Sequence, residues 1–223
     1  MSLGDGYPAE ASFGTDAFYL TIGRAFVTMC AVVPVLFAIE LLDRLLPGDF
    51  EAMGGIWPGH LGGLDGILLA PFLHGDFAHL YGNSVVLIPL GTFVLAAGVA
   101  RSVGVTLVIM LAAGLGVWFL GSPDTIVIGA SGVVFGYLGY LIARGLFEHS
   151  WWNIGVALLI GLIYGWQLTG ILPGDPRISW QGHLFGFVGG VLAAVVFRRR
   201  RFRELEPAEA PSDTTVDLPA TQT

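Results

Sequence analysis

The sequence predicts an all-α polytopic membrane protein, and three features of its composition and pattern support that prediction. Of the 223 residues, 54% are hydrophobic and only 12% are charged, with a mean hydropathy of +0.74, whereas soluble domains carry about 25% charged residues. Apolar runs recur along the chain at the length of about 20 residues that a membrane-crossing helix needs. Many of the 33 glycines lie inside those runs, which is typical of membrane helices that pack closely.

Six apolar runs are predicted to form membrane-spanning helices. The first ends in a polar stretch where Glu40 and Arg44 are spaced to pair on one helix face. Arginines or glycine- and proline-rich loops bound most of the others. The predicted spans are Arg24–Leu46, His79–Gly98, Ser102–Leu120, Ala130–Phe147, Trp152–Leu168 and Gln181–Phe197.

The spans divide the chain into three regions. Residues 1–23 are predicted to be a short cytoplasmic segment, residues 24–200 a six-helix membrane domain, and residues 201–223 a disordered cytoplasmic tail. The one long connection, residues 47–78, is rich in glycine and proline yet apolar, as in "GGLDGILLAPFL". We expect this connection to lie near the membrane interface.

The distribution of arginine predicts the orientation. Cytoplasmic loops of membrane proteins carry an excess of Arg and Lys, and all 10 basic residues here are Arg. With both termini inside, only Arg44 and Arg177 fall outside. We therefore expect a multi-pass protein of a bacterial-type plasma membrane with cytoplasmic termini, an external 47–78 connection, and Ser131 and His183 near the outer face.

Four polar residues in or at the ends of the spans suggest chemistry. His79 and Asn83 are four apart and share a helix face, Ser131 opens the fourth span, and His183 lies near the start of the sixth. Any one of them alone has a plain structural explanation, because Ser bonds back to its own helix and His packs at helix ends. Together they supply a nucleophile, a base and an amide donor, which are the groups that acyl transfer requires.

Glycine spacing predicts that these groups meet. Gly132 and Gly136 are four apart on the fourth span, and Gly182, Gly186 and Gly190 repeat at the same interval on the sixth. Small residues at this spacing let two helix backbones approach closely. We therefore expect the fourth and sixth spans to pack together.

Three ordered sequence blocks resemble the rhomboid intramembrane serine proteases. They are "HGDFAH" and the following Asn within residues 74–83, "GASG" followed by "VVFGYLGYL" from residue 129, and "GHLFGFVGG" at residues 182–190. Their order and the count of six spans match the family, and the resemblance covers roughly residues 25–200.

The resemblance implies an activity and a set of site residues. Ser131 would be the nucleophile and His183 its general base, a dyad with no third carboxylate. Asn83 and His79, with the backbone N–H of Ser131, would bind the oxyanion. The substrates would be transmembrane proteins cleaved in or near their membrane segments, close to the outer face.

Some supporting positions match the family and others depart from it. Gly129 would shape the approach of the backbone to the site, and His74 matches a loop histidine that orders the loop or retains water. Phe135 stands where the family often has a Tyr whose ring packs on the catalytic His. The 47–78 connection has Trp57 but lacks the Arg that often follows it.

Two other classes of function stay open. One is a catalytically inactive rhomboid-like protein that binds membrane proteins, and the other is a small transporter or a metal-binding protein using His74, His79 and His183. No acidic or Cys ligand joins these histidines, so we expect no metal and no cofactor. The expected partners are the lipid bilayer and membrane-protein substrates, not nucleic acid, and the oligomeric state is left open.

The orientation can be tested by cysteine labelling. In a Cys30→Ser background, a single cysteine near Ala210 is expected to be protected from an impermeant thiol reagent in intact cells. A single cysteine near Gly54 is expected to react. The opposite pattern would reverse the topology and place Ser131 and His183 near the inner face.

Overall fold

The structure, a computed structural model, describes residues 13–148, 151–175 and 178–198. The predicted tail, most of the N-terminal segment and Arg177 lie outside these residues. The described chain is helical, and its only β pairing is an isolated antiparallel bridge between Ile56 and Val127. The α-helices are α1 (Asp16–Leu45), α2 (Phe50–Gly54), α3 (Gly66–Leu69), α4 (Phe77–Leu95), α5 (Val99–Leu120), α6 (Ser131–Glu148), α7 (Trp151–Tyr164) and α8 (Trp180–Val196).

Four of these elements are long and apolar enough to cross a membrane, judged by length and composition. They are α1, α4, α5 and the continuous helical stretch Trp151–Ile171, which joins α7 to a 3₁₀ segment. The helix α8 is apolar but has 17 residues, and α6 carries the buried Arg144. An all-helical membrane fold is therefore confirmed, and the count of six spans stays a prediction.

The first helix begins earlier than predicted. It starts at Asp16, not Arg24, and the hydroxyl of Thr15 caps it by accepting a hydrogen bond from the N–H of Phe18 at 3.2 Å. The prediction placed the start of the span at Arg24 from hydropathy, whereas the helix itself begins at its capping residue. The predicted pairing of Glu40 with Arg44 is confirmed at 2.7 Å.

The 47–78 connection is folded rather than irregular. It holds α2, α3 and two 3₁₀ turns, Leu61–Gly63 and Ala70–Phe72. Its backbone is tied to the rest of the molecule where the indole N–H of Trp118 donates to the carbonyl of His60 at 2.9 Å. The sequence did not predict these short elements because 11 of the 32 residues are Gly or Pro, which are poor helix formers.

Among the described helices, α6 and α8 form the most closely packed pair, as the glycine spacing predicted. A Cβ atom on Gly186 would lie 2.2 Å from the carbonyl oxygen of Gly132, and one on Gly190 would lie 1.9 Å from that of Gly136. Both separations are shorter than any real contact. The two backbones touch, and this contact fixes how the N-terminal ends of α6 and α8 meet.

A buried ionic cluster ties the other ends of three helices together. Glu148 of α6 accepts hydrogen bonds from Arg144 and from the amide of Asn153 of α7, each at 2.8 Å, and also pairs with Arg101 of α5. The side chains of Arg101, Arg144 and Glu148 are less than one-tenth exposed. The cluster lies at the end of α6 opposite Ser131, which is the side that the arginine distribution assigns to the cytoplasm.

The glycine contact between α6 and α8 predicts a large loss of stability for Gly190→Ala. The added methyl must push the α6 backbone away, and overpacking of this kind costs about 1–3 kcal/mol. Thermal unfolding in detergent measures the effect. The matched control is Gly161→Ala, because a Cβ at Gly161 meets nothing within 4 Å. Equal unfolding temperatures for the two variants would show that the helices separate without cost.

Candidate active site

Ser131 and His183 form a hydrogen bond at the adjoining ends of α6 and α8. The Nε2 atom of His183 lies 2.9 Å from the Oγ atom of Ser131. Ser131 is the first residue of α6, and Ser179 caps α8 by accepting from the N–H of Gly182 at 3.2 Å. His183 is buried and Ser131 is partly exposed, so the hydroxyl is the accessible member of the pair.

A backbone carbonyl and an aromatic ring fix the orientation of His183. The Nδ1 atom lies 3.0 Å from the carbonyl oxygen of Gly170. Because a carbonyl can only accept, Nδ1 carries the proton and Nε2 is the acceptor that faces Ser131. The ring of Phe135 stacks on the imidazole with centroids 4.0 Å apart and planes 10° from parallel. The hydrogen bond and the stacking together leave the imidazole little freedom to turn.

Gly170 is a site residue that the sequence did not reveal. It lies in the 3₁₀ segment Gly165–Ile171, and a Cβ atom there would come within 3.1 Å of both the His183 ring and the Phe135 ring. A backbone oxygen has no sequence signature, since every residue supplies one. The only indication in the sequence was that no carboxylate was predicted to pair with His183.

Gly129 brings the chain close to the polar face of α4. Its φ angle is +109°, a conformation that glycine adopts readily. A Cβ atom there would lie 2.7 Å from the His79 ring and 3.6 Å from the Nδ2 atom of Asn83. His79 and Asn83 therefore lie beside the backbone that leads into Ser131, and their joint role toward an oxyanion stays a prediction.

The side-chain amide nitrogen of Asn83 donates no hydrogen bond to any other described residue. The side chain is 9% exposed, and its Nδ2 atom is buried without a hydrogen-bond partner in the described part of the chain. A buried donor left unpaired is costly, so an acceptor that reaches Nδ2 would relieve that cost. His79 is exposed at the mouth of the same face.

His74 supports the backbone just before Ser131. Its side chain is 2% exposed, and its Nε2 atom accepts a hydrogen bond from the N–H of Ala130 at 3.4 Å. Burial lowers the pKa of His74 to about 4, so the ring is neutral at pH 7 and can act as an acceptor. His74 therefore orders the segment that leads to Ser131, and it does not contact Ser131 through a hydrogen bond.

An apolar cavity opens beside Ser131. The cavity is small, about 40 Å³, and is lined by aliphatic side chains from the 47–78 connection, α5 and the segment before α6, among them Ile56, Ile67, Val117 and Val127. Ser131 and Gly132 form part of its wall. An apolar side chain placed here would sit next to the hydroxyl, whereas a charged one would lose its water without gaining a partner.

The described residues offer no alternative centre built on metal ligands. No group of three His, Cys, Asp or Glu side chains is placed to hold a metal ion within residues 13–148, 151–175 and 178–198. The rings of His74 and His79 are 5.2 Å apart, but each faces a different neighbour.

Comparison with known proteins identifies the family. A family model described as the rhomboid domain matches residues 62–200, which include every candidate site residue. The chain belongs to the rhomboid family. Uncharacterized proteins of Mycobacterium tuberculosis and Mycobacterium bovis are each 38% identical to this rhomboid over 195 residues, covering 83% of its chain and 81% of theirs. An uncharacterized protein of Mycobacterium leprae is 34% identical over 196 residues, covering 83% of this chain and 77% of its own.

Membership in the rhomboid family confirms the resemblance that the three sequence blocks carried. With the four apolar helices, it makes this chain an integral membrane protein. The departure at Phe135 is compatible with the geometry, because stacking on His183 uses the ring and needs no hydroxyl.

The stacked ring predicts opposite outcomes for two substitutions of Phe135 in any reaction that uses Ser131. Phe135→Tyr keeps the ring and is expected to keep the activity. Phe135→Ala is expected to lose about tenfold, since an aromatic pair contributes about 0.5–1.5 kcal/mol beyond its buried area. Reaction rates at matched thermal stability measure the effect. The control is Phe185→Ala, which removes a ring that packs on Gly116 of α5. An equal loss of reaction rate in this control would show that stacking of Phe135 on His183 has no specific role.

Proposed function

We propose that this rhomboid is an intramembrane serine protease that hydrolyses a peptide bond in or near a transmembrane segment of another protein. The observation that supports the proposal most directly is the 2.9 Å contact between Ser131 Oγ and His183 Nε2, with Nδ1 held by the Gly170 carbonyl. A hydroxyl is a weak nucleophile on its own, and a positioned imidazole is the group that activates it.

The first half of the reaction forms an acyl-enzyme. The Oγ atom of Ser131 attacks the carbonyl carbon of the scissile bond while its proton passes to Nε2 of His183. The positive imidazolium is stabilised by the Gly170 carbonyl, which accepts from Nδ1. The tetrahedral intermediate then collapses, the C–N bond breaks, and His183 returns the proton to the leaving amine.

The oxyanion forms beside Asn83. The buried Nδ2 donor of Asn83 and the N–H of Ser131, at the positive N-terminal end of α6, are the groups nearest to the developing charge. His79, across from Gly129, adds a third group at the exposed side. Donors that are already in place when charge develops lower the barrier without reorganisation.

The second half of the reaction uses water. A water molecule attacks the acyl carbonyl and gives its proton to His183 Nε2. The ester bond to Ser131 then breaks to release the acid, and His183 returns the proton to Oγ, which restores the hydroxyl. Water must therefore reach a residue of a membrane protein. In the six-span topology that we propose, with both termini inside, Ser131 lies near the outer face, and its partial exposure suits that role.

The substrate is expected to present an unwound apolar segment. A regular helix hides its carbonyl groups in hydrogen bonds, so small or helix-breaking residues near the cut favour cleavage. The apolar cavity beside Ser131 suits an aliphatic side chain next to the scissile bond. The proposed partners are therefore single-span or multi-span membrane proteins within the same bilayer.

The proposal predicts graded losses of cleavage. Purified protein is incubated with a model transmembrane substrate in liposomes, and product is measured over time. Ser131→Ala is expected to give no product, and His183→Ala nearly none. Asn83→Ala removes one oxyanion donor, so the rate is expected to fall by about 10² to 10³, with the loss in kcat rather than KM.

Four outcomes would contradict parts of the proposed mechanism. Cleavage by Ser131→Ala would remove the protease mechanism altogether, and no cleavage by the unmodified protein would favour the inactive, substrate-binding relative. Unchanged kcat for Asn83→Ala would remove Asn83 from the oxyanion site. A substrate with Asp in place of the aliphatic residue next to the scissile bond tests whether the cavity binds that side chain. Efficient cleavage of this substrate would show that the cavity does not select the residue.

A further inference from the structure

A charged pair at the end of α1 reaches into the turn that precedes α4. Glu40 is 3% exposed, and its Oε1 atom accepts from the guanidinium of Arg44 at 2.7 Å. The Nη2 atom of Arg44 also donates to the carbonyl of Gly75 at 3.2 Å. The same guanidinium lies over the ring of Phe77, with Cζ 5.0 Å from the ring centroid.

Each of the three residues 74–76 is anchored to a different part of the chain: the segment before α6, the helix α1 and the first turn of α4. His74 accepts from the N–H of Ala130, just before α6. Gly75 is held by Arg44 of α1. The carboxylate of Asp76 caps α4 by accepting from the N–H of His79 at 2.7 Å. A shift of this turn would therefore move both the segment before Ser131 and the first turn of α4.

We propose that Arg44, oriented by Glu40, is a positioning residue for the active site, a role that rests on the proposed protease function. Neither side chain touches the reacting groups. By fixing the Gly75 carbonyl, the pair sets where the amide of Asn83 and the backbone before Ser131 stand relative to each other.

The pair of Glu40 and Arg44 is chemically suited to hold the Gly75 carbonyl in place. The guanidinium is planar and has several N–H donors in a fixed fork, so it binds the carboxylate and the carbonyl together while its face covers Phe77. The Phe77 ring is in turn stacked on Phe37 of α1, with centroids 6.2 Å apart and planes 12° from parallel. Glu40 supplies the nearby negative charge that holds Arg44 in this conformation, although the Arg44 side chain is 44% exposed.

The test separates positioning from stability. Replacing a charged pair by two apolar residues is often neutral for stability, so the double variant Glu40→Leu/Arg44→Leu is expected to unfold at the same temperature as the unmodified protein. Its kcat on the model transmembrane substrate is expected to fall roughly 10- to 100-fold, since small misplacements of reacting groups have effects up to that size. KM is expected to change little. Arg24→Leu, the same substitution at an exposed position near the other end of α1, is expected to leave kcat unchanged.

Hydrogen exchange provides a readout that does not depend on activity. In the double variant, amides in residues 73–83 and 126–131 are expected to exchange faster than in the unmodified protein, while those in α5 do not change. Wild-type kcat together with unchanged exchange would overturn the proposal. If the unmodified protein cleaves nothing, the protease function fails, and exchange alone decides whether Arg44 anchors the turn. A loss confined to KM or to the unfolding temperature would assign the pair a structural role only.

Discussion

The backbone contact between α6 and α8 is the constraint on which the rest of the site depends. A hydrogen bond of 2.9 Å between Ser131 and His183 requires their two helices to lie closer than side chains normally allow. The glycines of α8 meet carbonyl oxygens of α6 directly, as at Gly186 and Gly132. Little hydrophobic force drives helices together in lipid, so close packing of small residues has to supply the association.

Backbone groups and neighbouring helices also orient the polar side chains of the site. His183 is set by a carbonyl oxygen at Gly170, and the backbone before Ser131 is set by the ring of His74. A buried carboxylate beside His183 would have to be desolvated, whereas a carbonyl accepts the same hydrogen bond without carrying a full charge. This arrangement gives the imidazole one tautomer and one orientation in an apolar setting.

The sequence predicted the parts of the site that depend on side-chain identity and helical spacing. Glycines at intervals of four predicted the contact of α6 with α8, and an interval of four also predicted the pairing of Glu40 with Arg44. The sequence did not predict the features that depend on backbone atoms. The carbonyl of Gly170 has no distinguishing letter, and the folded 47–78 connection is built from short turns whose composition favours no regular element. The early start of α1 at Asp16 was missed because hydropathy marks the bilayer and not the end of a helix.

The reactivity of Ser131 is the most direct measure of whether His183 activates its hydroxyl. A fluorophosphonate forms a covalent bond with an activated serine hydroxyl and needs no knowledge of the substrate. The folded protein in detergent is expected to be labelled at Ser131, mapped by mass spectrometry, whereas denatured protein and His183→Ala are expected to stay unlabelled. Absence of label on the folded protein, in conditions where a soluble serine hydrolase reacts fully, would contradict activation of Ser131 by His183.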